Sequence, residues 1–242
     1  RGLGLIILEG YGLTETLGPI SVNLDWRNKV GTVGPPVCGG RARVSADGEI
    51  EVRGMSVFSH YHNNPAADAE AFTPDGWFRT GDIGSIDSDG WIRITGRKKE
   101  LIVTAGGKNV APAILEDRLR GHPLISQVLV IGDGEPFISA LITLDREMLP
   151  GWLHNHGLPE MGVVEASTNP QVLAALDRAV ARTNRAVSRA ESIRTYRVLT
   201  NDFTEANGLL TPSLKVKRNQ VMKEYADTIA DIYASTRKGP QE

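Results

Sequence analysis

The sequence predicts a mixed α/β (α+β) chain in two parts, strand pairs first and helices alternating with strands after them. Three observations lead there. Between residues 40 and 95, apolar and polar side chains alternate in short runs separated by Asp-Gly turns. Beyond residue 110, apolar spacings of three and four residues interleave with short apolar runs. The charge balance changes at the same place. Residues 1–95 hold 8 basic and 12 acidic side chains, whereas residues 96–242 hold 19 and 17.

The elements follow in order. The chain opens at Arg1, without a methionine, on the strand-like run Leu5-Ile6-Ile7-Leu8, which Glu9 ends; such a start is expected of a cut through a domain. Gly40-Arg41-Ala42-Arg43-Val44 and Glu49-Ile50-Glu51-Val52-Arg53 alternate on either side of Asp47-Gly48, a hairpin pattern. Asn64-Pro65 offers an N-cap and a first-turn proline for a short helix through Phe72, and Thr73-Pro74-Asp75-Gly76 ends it. Trp77-Phe78-Arg79-Thr80 and Trp91-Ile92-Arg93-Ile94-Thr95 form a second strand pair, with Asp89-Gly90 leading into the latter. Pro112 opens a helix over 112–119 that sets Ile114, Leu115 and Leu119 on one face. Residues 127–131 and 137–144 are apolar enough for strands packed on one side by that helix. A longer amphipathic helix spans 172–187, a third strand 196–199, and a closing helix 219–232. Residues 146–167 fit no pattern and receive no role.

Composition bounds the function. The 242 residues carry a net charge of −2, with 40% hydrophobic and 23% charged side chains, ordinary for a soluble globular protein with a sizeable core. Neither the charge nor the 6% aromatic content offers a footing for nucleic acid, so no nucleic-acid partner is expected. Cys38, the single cysteine, excludes an internal disulfide and a multi-cysteine metal site, and fits a reducing cytoplasmic setting. The longest apolar run is far too short to cross a bilayer.

Four segments carry more glycine and polar residues than packing requires. In Glu9-Gly10-Tyr11-Gly12-Leu13-Thr14-Glu15-Thr16, glycines beside a tyrosine let backbone approach a flat ligand that the ring covers. There a hydroxyl and a carboxylate suit phosphate and Mg²⁺; the alternative is a turn with Thr14 or Thr16 as a helix cap. In Thr80-Gly81-Asp82-Ile83-Gly84, the carboxylate can accept from two sugar hydroxyls, or close an Asx turn. Gly96-Arg97-Lys98-Lys99-Glu100, at the compositional break, is either a solvated basic face or a phosphate-contacting linker; Gly106-Gly107 then precede a helix start. Leu210-Thr211-Pro212-Ser213-Leu214-Lys215-Val216-Lys217-Arg218 is a basic approach to the last helix.

Together and in this order the segments resemble the adenylate-forming superfamily of acyl-CoA synthetases, luciferases and adenylation domains, most closely bacterial long-chain fatty acid–CoA ligases. The stretch from Asp75-Gly76-Trp77 to Gly81-Asp82, with Gly96-Arg97-Lys98-Lys99-Glu100, is similar to the fatty-acyl-CoA synthetase signature. Gly107-Lys108-Asn109-Val110-Ala111-Pro112 is similar to its long-chain bacterial form. The resemblance implies a partial β-barrel-like subdomain over residues 1–97, ending a larger domain. A small mobile C-terminal domain, with a short sheet packed by helices, would occupy 98–242.

It also implies roles. ATP and a fatty acid give an acyl-adenylate and pyrophosphate, and coenzyme A then displaces AMP. Gly10, Tyr11, Gly12, Thr14, Asp82 and Arg97 would bind ATP or AMP, with Tyr11 on adenine, Thr14 at phosphate and Asp82 on the ribose hydroxyls. Glu15 would hold Mg²⁺. Lys215 would be the catalytic lysine, although Leu214 precedes it where many relatives carry glycine. Lys99 would be the hinge, and Gly106 and Gly107 would border the channel for coenzyme A. A phosphate loop and acyl pocket would precede Arg1, so the chain alone is expected to be inactive. Peripheral membrane contact is compatible with a lipid-partitioning substrate. Two alternatives remain: a fatty acyl-AMP ligase that delivers to a carrier protein, and a non-catalytic binding module.

Overall fold

Glycine sets the first pairing in the computed structural model, which describes residues 4–237. Strand β1 (Gly10–Leu13) passes through a single 3₁₀ turn, Thr14–Thr16, and returns antiparallel as β2 (Gly18–Val22). A Cβ at Gly12 would lie 2.1 Å from the Gly18 carbonyl oxygen, so only glycine fits this crossing. The apolar run before it corrects the sequence expectation. Leu5, Ile6 and Ile7 are 65%, 59% and 80% exposed and form no strand. A run apolar on both faces suits a strand flanked by others, and among the described residues none pairs with it.

The Asp47-Gly48 hairpin forms as its alternation predicts, from β3 (Arg41–Val44) and β4 (Glu49–Arg53). Helix α1 (Pro65–Ala71) starts where expected, with the Asn64 side chain accepting from the Ala67 N–H at 3.2 Å. Strands β5 (Phe78–Ile86) and β6 (Ile92–Arg97) complete a curled antiparallel sheet of order β3-β4-β5-β6, a half-barrel over Ile20, Ile50, Val52, Phe78 and Ile92. A short 3₁₀ turn, Lys98–Glu100, follows.

The chain divides into two compact units, Arg1–Glu100 and Leu101–Glu242. The second begins with a small hairpin, β7 (Ile102–Val103) and β8 (Asn109–Val110), and helix α2 (Pro112–Arg120). Strands β9 (Ile125–Ile131) and β10 (Ile138–Leu144) pair antiparallel. Helices α3 (Met148–Asn155), α4 (Val163–Ala166) and α5 (Pro170–Asn184) lead to β11 (Ile193–Leu199), which joins β10 in parallel. Helices α6 (Arg218–Glu224) and α7 (Ala226–Arg237) close the chain.

Helices cover both faces of this sheet, and β10 is buried throughout. Leu115, Leu119, Leu176 and Val180 pack on the face of Val128 and Ala140; Phe203, Val221, Ile232 and Tyr233 pack on that of Leu129 and Leu141. The long helix stops before residue 187 because Asn184 turns its side chain to the next strand. It donates to the Ile193 carbonyl and accepts from the Ile193 N–H, both at 2.9 Å. The closing helix is two helices, separated at Tyr225.

Candidate functional site

The crossing of β1 over β2 opens a cleft of about 750 Å³ in the first unit, lined by Gly10, Tyr11, Gly12, Thr14, Glu15 and Arg97 among others. The structure therefore gathers six of the sequence-predicted residues in one place. Asp82 joins them from behind. It sits on β5, 3% exposed, and is paired in register with Arg97 on β6. The Tyr11 hydroxyl donates to its Oδ2, and the Arg97 Nε lies 2.9 Å from Oδ1. Both oxygens of the buried carboxylate thus have partners. Burial pushes the Asp82 carboxyl above the usual range, while the Tyr11 hydrogen bond and the Arg97 charge pull it back. Burial and the bond to Asp82 push the Tyr11 phenol far up, so it stays a donor.

The threonines divide their work. Thr16 is fully buried; its hydroxyl donates to the Gly18 carbonyl at 2.6 Å and accepts from the Leu13 N–H at 2.8 Å. It takes the capping task that the sequence left open between Thr14 and Thr16. Thr14 is exposed at the cleft. Gly12 lines the cleft, and its missing Cβ also lets the chain pass close to Gly18. Glu15 is half-buried, and its Oε1 accepts from the Tyr61 hydroxyl at 3.0 Å. Among the described residues no group of three or more His, Cys, Asp or Glu side chains could hold a metal. One carboxylate at an open cleft still fits magnesium, which can draw most of its oxygens from water and a bound phosphate.

A second cleft of about 730 Å³ in the same unit shares Leu13, Glu15 and Arg97 with the first and continues along Thr80, Gly81, Lys98 and Lys99. Lys99 is exposed there. Lys98, from the basic segment noted in the sequence, and Tyr61, which the sequence did not single out, shape this cleft. Lys98 reaches Asp47 at 2.6 Å and Glu49 at 2.8 Å. Tyr61 reaches Glu15 across 46 positions of sequence, a contact with no local signal.

The remaining predicted residues belong to the second unit. Gly106 and Gly107 form the turn between β7 and β8, where Gly107 has φ +76° and donates to the Thr104 carbonyl at 2.8 Å. Lys215 sits on a turn closed by three bonds. The Leu214 N–H donates to the Thr211 carbonyl at 2.8 Å, the Thr211 N–H to the Lys215 carbonyl at 2.8 Å, and the Lys215 N–H to the Thr211 hydroxyl at 3.0 Å. Leu214 has φ +60°, a left-handed conformation that favours glycine. Lys215 is exposed and has no ion pair among the described residues.

Known proteins share sequence and fold with this chain. The family model of the AMP-binding enzyme C-terminal domain matches residues 99–237. The chain is 55% identical over 234 residues to the long-chain-fatty-acid–CoA ligase FadD15 of Mycobacterium bovis, covering 96% of this chain and 39% of that protein. It thus spans about two fifths of the curated relatives it matches first. Among solved structures, the ATP-bound RpMatB-BxBclM chimera B1 superposes with a TM-score of 0.67 at 28% identity, over 93% of this chain and 42% of the chimera. The adenylation domain of a carboxylate reductase from Mycobacterium chelonae shares the fold, with a TM-score of 0.70 at 22% identity over 94% of this chain and 34% of that one. No described helix is long and apolar enough to cross a membrane.

Proposed function

Because the chain belongs to the AMP-binding, adenylate-forming enzyme family, we propose that it is part of a long-chain fatty acid–CoA ligase. The reaction converts fatty acid, ATP and coenzyme A to acyl-CoA, AMP and pyrophosphate through an acyl-adenylate. The observation that carries this assignment is Asp82, a buried carboxylate with both oxygens engaged at the rear of a glycine-rich cleft. Buried charge is costly, and a site keeps it where a polar ligand must be recognised. The 55% identity to the long-chain-fatty-acid–CoA ligase FadD15 supports fatty acid and coenzyme A as the substrates.

The chemistry brings two anions together, since a carboxylate must attack a phosphate, and cations must offset the repulsion. Asp82 takes the ribose hydroxyls once the Tyr11 hydroxyl leaves its Oδ2, and the freed tyrosine ring covers adenine. Arg97 stays against Asp82 and turns its remaining N–H groups toward ribose and phosphate. Thr14 donates to phosphate. Glu15 would hold Mg²⁺, which when bound would offset the charge of phosphate oxygens. Lys215 bridges the attacking carboxylate and the α-phosphate. Lys99 is the pivot about which the residues after it turn between the two half-reactions, bringing the Gly106-Gly107 loop to the thiol of coenzyme A. Lipid-partitioning substrate favours peripheral membrane contact in a cytoplasmic enzyme.

The test uses the complete protein with ATP and palmitate. Pyrophosphate release without coenzyme A, followed by palmitoyl-CoA on its addition, is the expected result. Release followed by transfer only to a carrier protein would overturn the choice of acceptor, and no release at all would overturn the activity.

A further inference from the structure

Glu49 has no role in the reaction above, yet its contacts join the two segments on which that reaction turns. It lies on β4 with a side chain 5% exposed. Its Oε1 accepts from the Gly81 N–H at 2.8 Å, and its Oε2 meets the Lys98 Nζ at 2.8 Å. Gly81 immediately precedes Asp82, and Lys98 immediately precedes Lys99. Asp47, in the β3–β4 turn, holds the same Lys98 Nζ at 2.6 Å.

We propose that Glu49 is a positioning residue that ties the strand bearing Asp82 to the base of the hinge, so that rotation starts at Lys99 and not before it. This rests on the reading of Lys99 as the pivot. The physical grounds are independent of that reading. A buried carboxylate deprived of one partner retains an uncompensated charge, so its two bonds are worth more than surface ion pairs. Lys98 stands on an exposed 3₁₀ turn, and two carboxylates fix its ammonium. Asp47 and Glu49 together push the Lys98 ammonium up, and Lys98 draws Asp47 well below the usual carboxylate range, so Lys98 and Asp47 stay charged at neutral pH. Residues through Lys98 therefore move with the first unit, and the torsional change falls on the residues after it. A pivot that starts one residue early would deliver the second unit to the cleft with an altered register.

The two oxygens of Glu49 make the tether separable. In the complete protein, Lys98→Met removes only the hinge side and keeps the Gly81 bond to Glu49, with folding verified by circular dichroism and urea unfolding. Acyl-CoA turnover should fall about tenfold, the scale of a small misplacement of reacting groups, while KM for ATP stays within about twofold. Amide exchange at residues 98–102 should accelerate, and Lys98→Arg should restore most of the rate. Glu49→Ala releases Gly81 as well, and should also raise KM for ATP several-fold, the worth of one hydrogen bond of ~1 kcal/mol. Turnover and exchange unchanged in Lys98→Met, or equal effects of Met and Arg, would overturn the tether. A wild-type protein that releases no pyrophosphate would overturn the proposed reaction instead, and the exchange rates at 98–102 would still decide whether the tether exists.

Discussion

Asp82 and Lys215 meet solvent in opposite ways. Asp82 is buried, and Tyr11 and Arg97 occupy both of its oxygens. Lys215 is exposed, and its charge has no partner among the described residues, although its backbone is closed in a bonded turn. The difference follows from desolvation. A carboxylate removed from water needs substitutes in the empty protein, and a ligand must displace them. A lysine left in water needs none, and sheds its hydration only when it meets an anion. The first arrangement suits recognition of a nucleotide that stays through both half-reactions. The second suits a charge that acts in one of them and then withdraws.

The largest expected effect breaks the exposed side of the comparison. Lys215→Ala in the complete protein should lower the rate of acyl-adenylate formation by about 10²–10³, the cost of losing one charge-stabilising donor at a transition state. Thioester formation from supplied acyl-adenylate should change less than about threefold. Stopped-flow measurement of both half-reactions checks this, and equal losses would make Lys215 a structural residue.

On the buried side, Asp82→Asn should weaken AMP binding about tenfold to a hundredfold, as expected for a hydrogen bond to a charged group; titration calorimetry reads it. The pH dependence sharpens the same point. Because burial holds the Asp82 carboxyl above the ordinary range, wild-type affinity should decline on acidification at a higher pH than a free aspartate would give, and the asparagine variant should lose that decline. The same shift makes ionised Asp82 a cost to folding at neutral pH, one that fades as pH falls through the raised value.

Thr16→Val tests whether the hairpin under Tyr11 is held locally. Valine matches the shape but leaves the Leu13 N–H and the Gly18 carbonyl unpaired in a buried site. A loss of ~1–3 kcal/mol is expected in urea unfolding of the 242-residue chain.

Much of the fold was legible because its signals are local. The Asp47-Gly48 hairpin, the Asn64-Pro65 helix start and the apolar spacing of α2 depend on neighbours within a few positions, and each formed as read. What was missed depends on partners distant in sequence. Leu5-Ile6-Ile7-Leu8 has the composition of a strand but no described neighbour to pair with. Helix α3 carries Pro150 and Gly151, which argue against a helix, yet Pro150 sits in the first turn, where its absent N–H costs nothing. Leu149 and Leu153 then bury one face and settle the matter. In the candidate site, glycine and charge flagged segments that line the cleft but not their pairings. Nothing near Glu49 in sequence announces Gly81 or Lys98, and nothing near Asp82 announces Tyr11.

Leu214 is where sequence and structure meet most closely. A leucine in place of the glycine common at this position looked like a departure, and its φ of +60° shows what the departure costs. The left-handed conformation strains any residue with a Cβ by roughly 1–2 kcal/mol. Glycine escapes that strain but loses more freedom on folding, which returns about 0.5–1 kcal/mol. Leu214→Gly should therefore stabilise the chain by only about 0.5 kcal/mol, the net of those opposing effects. Leu214 is 65% exposed, so little packing is lost. The three bonds of the turn use backbone and Thr211 alone, so Lys215 keeps its place and adenylation should stay within about twofold of wild type. A rate that fell tenfold would mean that the leucine side chain, and not the turn, positions Lys215.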